Sequence, residues 1–181
     1  MSGEVYALSV EQGYQGGEIF TVGGCKVILH DCGFLFLRGE PSSEELDEIY
    51  RRVQSSRRAI LFTSDKKIFD RLSAKENVNA GRRIFFEYRA DHVDLPALPE
   101  GAKICEIDET NINVLGGRIT PDFSWSDHDS FLRKGKGYCV VIGDDIAAWA
   151  FSSGISDIVF IAPFIFLAFF VSNQCFCKYF Y

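Results

Sequence analysis

The chain has 181 residues, enough for one ordinary domain or two small ones. Apolar residues make up 47% and charged residues 24%, a balance that excludes a disordered chain. The formal charge is −6, and Lys178 is the only charged residue after position 157, which is the wrong sign for a nucleic-acid surface.

The first 18 residues have no basic run followed by an apolar core, the pattern of a secretory signal. The expectation is a cytoplasmic protein whose six cysteines are reduced thiols. Strands are expected at 18–22 and 26–30, with Gly23 and Gly24 as the turn between them, and at 33–38. Ser42 followed by Glu45 is a capping-box signature. Leu46, Ile49, Tyr50 and Val53 then fall on one face of a helix. Residues 58–63 give a short buried strand. Ser64 caps a second helix reaching Lys75, with Ile68, Phe69 and Leu72 inward, and 82–89 form a further strand. This strand–helix alternation predicts an N-terminal βαβαβ layer with some parallel pairing.

Residues 91–101, with Pro96 and Pro99, form a connector and mark the expected domain boundary. Beyond it come a strand at 103–107, a short helix at 108–115, a break at Gly116 and Gly117, and a loop at 118–125. Ser126 with Asp129 predicts the cap of another short helix running to Arg133. Strands at 138–142 and 146–152 flank Gly143, Asp144 and Asp145, a hairpin signal. The fold class is therefore α/β with an α+β mixed sheet, divided as 1–98, 102–157 and an apolar tail at 158–181 that does not continue the pattern.

The chemical signals along this body are weak. Cys25, His30 and Cys32 lie close together, and Cys175 and Cys177 form a C-x-C, but neither spacing matches a usual zinc site, so no metal is expected. Residues 132–137 come within one residue of the R/Q-x-x-G-x-G/A loop that cradles a pyrophosphate. Such a loop follows a strand and opens a helix. Here the order is reversed, so Gly135 and Gly137 are read as a helix stop and a turn. His30, His92 and His128 are scattered, with no nucleophile motif around them. Asp144 and Asp145 sit at a hairpin tip. Arg57 with Arg58, and Arg82 with Arg83, are read as solvated pairs.

Residues 123–157 resemble the opening half of the acetyltransferase domain in a bacterial-type branch of the GNAT N-acetyltransferases. Trp125, Phe131, Leu132 and Gly135 carry the likeness, with Gly137 to Val140 and Ser152 to Asp157. That branch has an additional α/β region ahead of the acetyltransferase half, and residues 18–98 fit such a region. The resemblance implies transfer of an acetyl group from acetyl-CoA to an amine, on a small molecule or a peptide. In that family the cofactor is held by a strand after the hairpin, then the R/Q-x-x-G-x-G/A loop, then a helix. The likeness stops at Asp157, and residues 158–181 contain no glycine. No cofactor-binding residue carries over, and no catalytic residue is assigned. Residues 118–128 correspond to the substrate side, where Trp125 and His128 are the two nominations.

The tail has fourteen uncharged residues at 158–171, interrupted by Pro163, and seven of the 17 phenylalanines lie in its 24 residues. Three readings stay open: a membrane anchor, a buried element completing the sheet, or an out-of-frame continuation of a longer acetyltransferase. The alternative to an acetyltransferase is a non-catalytic α/β binding module with a membrane or partner anchor. The sequence leaves the oligomeric state open.

Overall fold

The structure is a computed structural model, describing residues 4–82, 97–117, 119–157, 166–171 and 174–179. It divides into two compact units. Unit 1 comprises Met1–Ile84 with Ser156–Ile158, and unit 2 comprises Phe85–Ile155 with Val159–Tyr181.

Unit 1 opens with a helix that the sequence patterning did not announce, α1 (Glu4–Glu11). Val5, Tyr6, Ala7, Ser9 and Val10 are all buried, so the helix has no single apolar stripe to betray it. Its acidic ends are tied to the sheet. Glu4 and Glu11 both pair with Arg38, and Glu11 also pairs with Lys26. The strands β1 (Gly17–Val22), β2 (Cys25–His30) and β3 (Phe34–Arg38) follow as an antiparallel meander. The turn between β1 and β2 places Gly23 at φ 55°, as the Gly-Gly pair predicts. Its core is Phe20, Cys25, Val27, Leu35 and Ile49.

Next comes α2 (Ser43–Val53), whose capping box forms as the sequence requires. The Ser42 hydroxyl accepts from Glu45 N at 3.2 Å, and Ser42 N donates to Glu45 Oε2 at 2.6 Å. The other oxygen of Glu45 accepts from Gly24 N at 3.0 Å, so one carboxylate joins the start of α2 to the β1–β2 turn. The strand expected at 58–63 shrinks to β4 (Ile60–Leu61), which pairs parallel with β3. That is the parallel pairing the alternation implied.

In α3 (Lys66–Ser73) the cap is Asp65, one residue later than the expected Ser64. Its carboxylate accepts from Lys67 N and Ile68 N at 2.7 and 3.4 Å. Phe69, expected inward, is 42% exposed. Only one flank of α3 is covered, and Phe69 stands off it while Ile68 and Leu72 are half-buried. Most of the strand expected at 82–89 and part of the connector, with His92, lie outside the described residues.

Unit 2 is a three-stranded antiparallel sheet in the order β5–β6–β7, formed by β5 (Ala102–Glu106), β6 (Gly137–Ile142) and β7 (Asp145–Phe151). Between β5 and β6 the helix expected at 108–115 contracts to a single 3₁₀ turn, Ile112–Val114. Asp108 accounts for the change. Its Oδ1 accepts from Thr110 N at 2.9 Å and Asn111 N at 3.3 Å, an Asx turn that competes with the helical pattern. The loop expected at 118–125 contains a second turn, Pro121–Phe123. Then α4 (His128–Lys134) begins, capped by Asp127 instead of Ser126. Asp127 has the extended backbone a cap needs, and its carboxylate accepts from Ser130 N at 2.6 Å. Gly135 ends α4, as expected.

The β6–β7 hairpin is the predicted one, with Gly143 at φ 63° in its turn and a bulge at Val140 and Val141. Its open end is closed by Ser152. Ser152 N donates to Lys136 O at 2.7 Å, and Ser152 Oγ accepts from Lys136 N at 2.9 Å. The core of the unit is Ile107, Ile112, Leu115, Trp125, Phe131, Cys139, Trp149 and Phe151. In the tail, β8 (Phe166–Val171) and β9 (Gln174–Tyr179) pair antiparallel as a separate two-stranded sheet. Among the described residues, no helix is long and apolar enough to cross a membrane.

Unit 1 carries a pH liability. His30 is fully buried, with Tyr6 edge-on at 5.2 Å. Its Nδ1 accepts from Cys32 N at 3.0 Å, which leaves the ring proton on Nε2, and Nε2 has no hydrogen-bond partner among the described residues. Burial pushes its pKa down from 6.5 to about 4. The folded pKa is depressed, so the unfolded chain takes up a proton below pH 6.5 that the folded chain refuses until about pH 4. Stability is therefore lost as pH falls through that window, by roughly 3 kcal/mol at most. Urea titrations at pH 7 and pH 4 should show a larger loss for wild type than for His30→Phe. Equal losses would assign the acid sensitivity to the carboxylates instead. In unit 2, Ser152→Ala should cost about 1 kcal/mol in the same titration at pH 7, because Lys136 N–H loses its side-chain acceptor.

Candidate functional site

Both nominated substrate-side residues lie in unit 2, and their surroundings differ sharply. Trp125 follows the Pro121–Phe123 turn and is only 3% exposed. Its ring meets Phe131 edge-on, with centroids 5.7 Å apart, and Phe131 meets Phe151 in the same way at 6.1 Å. The indole Nε1 donates to Ser152 O at 2.8 Å. Trp125 is thus a core aromatic whose polar edge is satisfied by the hairpin's end. Trp149, on β7, is its counterpart: equally buried, with Nε1 donating to Ile119 O at 2.8 Å. Together the two indoles pin the 119–125 segment to the sheet from both of its ends.

His128 is the first residue of α4 and remains partly open to solvent, with 28% of its side chain exposed. Its two ring nitrogens are both engaged. Nδ1 lies 3.1 Å from Asn113 Oδ1, and Nε2 lies 2.9 Å from Asp122 Oδ1. The three residues come from three separate short elements: the Ile112–Val114 turn, the Pro121–Phe123 turn and the start of α4. An imidazole held between an amide and a carboxylate has a fixed ring plane, an arrangement suited to exchanging a proton with a group that displaces one of the two.

Sequence reasoning found His128 but missed Asn113 and Asp122. Neither belongs to a periodic pattern. Each is placed by a single turn, and their separations from His128 in the chain carry no motif. Beside α4, an open groove of about 380 Å³ is lined by Glu106, Ile107, Asp108, Glu109, Thr110 and Leu132. Three carboxylates line it, of which Glu106 is paired with Lys136 Nζ at 2.9 Å. Leu132 lies one helical turn beyond His128 on the same face of α4. Among the described residues, no cluster of His, Cys, Asp and Glu could hold a metal ion.

Of the other motif residues, Gly135 ends α4 as read, while Gly137, read as a turn, is the first residue of β6. His30 is a buried structural residue of unit 1. Gly135 and Gly137 serve packing: a Cβ at Gly135 would meet Phe131 Cδ2 at 2.5 Å, and one at Gly137 would meet Ile107 Cδ1 at 2.6 Å.

Taken one by one, the two units give an α+β mixed fold, four α-helices with sheets in both parallel and antiparallel pairing. The chain belongs to the GNAT acetyltransferase family, whose model matches residues 4–161. No curated protein matches it.

Members of this family use acetyl-CoA, and the residues present can be tested against it. The pyrophosphate loop depends on glycine for its close backbone approach, and on a helix N-terminus for its amides. Residues 158–181 have no glycine. Within them β8 is followed by β9, a strand returning beside a strand, where the family's order calls for a helix. Residues 158–181 do not fit that loop.

The contact of His128 with Asp122 is half-exposed, so its loss should be nearly silent in folding. Asp122→Asn should shift stability by no more than about 0.5 kcal/mol in urea titration. A loss above about 2 kcal/mol would make the cluster a structural clamp instead of a site.

Proposed function

We propose that this chain carries the acceptor side of a GNAT acetyltransferase and that, as 181 residues, it neither holds acetyl-CoA nor transfers the acetyl group. The observation that carries this reading is the run of residues after Gly154, which contains no glycine and pairs strand with strand. The acceptor class is a small-molecule or peptide amine. His128, oriented by Asn113 and Asp122, is the side chain that meets it, and Trp125, the other nominated residue, supports α4 from the core through Phe131. The acidic groove along α4 supports a cationic acceptor over an anionic one. The formal charge of −6 argues against nucleic acid. A cytoplasmic location belongs to the same reading.

The domain reading is that residues 1–98 are the family's additional α/β region, that 102–157 are the opening of its acetyltransferase half, and that 158–181 are not native to the fold. Isothermal titration of the folded chain with acetyl-CoA tests the central claim. The expected result is no saturable heat up to about 1 mM, the level at which binding is worth only about 4 kcal/mol. Micromolar or tighter binding would overturn it.

A further inference from the structure

Cys105 and Cys139 stand directly opposite each other on the neighbouring antiparallel strands β5 and β6. Opposed residues project from the same face of a sheet. Ile107 N donates to Gly137 O at 2.8 Å, which fixes the alternation of the ladder. Two residues further along, the cysteines occupy a hydrogen-bonded pair, with Cα atoms about 5.5 Å apart. That separation lies inside the range of roughly 4.4–6.8 Å that disulfides span. The other cysteines with a strand partner face something else: Cys25 pairs with Val22, Cys175 with Phe170 and Cys177 with Ala168.

The two thiols differ in access. β5 is the outer strand of its sheet, and Cys105 on it is exposed to solvent. Cys139 is 1% exposed, packed within the core beside Trp149. Burial, and after it the negative charge of a Cys105 thiolate, hold the Cys139 thiol above its ordinary range. An exposed thiol against a shielded one is the division of labour of a peroxide-reactive pair, in which one sulfur meets the oxidant and the other resolves it.

We propose that Cys105 and Cys139 form an intramolecular disulfide in response to hydroperoxide. The Cys105 thiolate attacks a peroxide oxygen, forming an S–O bond as the O–O bond breaks. Hydroxide leaves from hydrogen peroxide, or an alkoxide from an organic hydroperoxide, and takes up the proton that Cys105 released on ionising, leaving Cys105 as the sulfenic acid. The Cys139 sulfur then attacks the Cys105 sulfur, and the sulfenic oxygen departs as water with the Cys139 proton. Two thiols lose two electrons, and the peroxide gains them. The product staples the free edge strand to the middle of the sheet.

The test treats the full chain with hydrogen peroxide, alkylates it in denaturant, and maps the digest by mass spectrometry. The expected species is a peptide linked through Cys105 and Cys139, two hydrogens lighter than its parts. It should form at a rate independent of protein concentration and revert with dithiothreitol. Cys105→Ser should abolish the link and leave Cys139 fully alkylated. Cys139→Ser should stop Cys105 at the sulfenic acid, trapped by dimedone. Wild-type Cys105 that proceeds to sulfinic acid, joins a second chain, or fails to react while Cys139 stays alkylatable would overturn the proposal. Because Cys105→Ser changes an exposed position, it keeps the test decisive even if Cys139→Ser fails to fold.

Discussion

Unit 2 depends on the junction at Ser152, where one residue satisfies three partners. Its amide and hydroxyl bond both backbone groups of Lys136, closing the open end of the β6–β7 hairpin. Its carbonyl receives the Trp125 indole. The hairpin is thereby joined to the segment that carries Asp122 and leads into α4. The position of His128 follows from this chain of contacts, because Trp125 and Phe131 fix the approach and the first turn of the helix. The His128 cluster thus rests on a core instead of a flexible loop, which keeps its geometry fixed.

Beyond that junction, the constraint on function is conformational. Gly154 is the last glycine in the chain. A pyrophosphate cradle needs residues that accept unusual backbone angles and come close to the ligand. Isoleucine, phenylalanine and valine favour extended backbone, and the segment they dominate forms β8 and β9. The residues after Gly154 have the composition of a strand pair, which is the observation the proposed function rests on.

How legible the molecule was depends on the range of the interaction involved. The capping box at Ser42 and Glu45 was readable because both its bonds span three residues, and the β6–β7 turn was readable from Gly143. The caps of α3 and α4 were each placed one residue early. In both, a serine precedes an aspartate, either of which caps well, and backbone extension at the aspartate decides between them. Helix α1 was invisible because it is buried nearly all round. The site was half legible. A histidine at a helix start draws attention, but Asn113 and Asp122 reach it only through two isolated turns, and no local pattern encodes that meeting.

The distribution of tryptophan gives the molecule an optical asymmetry. Both indoles belong to unit 2, each 3% exposed and each hydrogen-bonded through its ring nitrogen to a backbone carbonyl. Unit 1 has only tyrosine chromophores, at positions 6, 14 and 50. Tryptophan emission is therefore a local reporter of the unit 2 core. The fluorescence of one unit and the circular dichroism of the whole become independent observables, so the two halves of the chain can be followed separately without attaching any label.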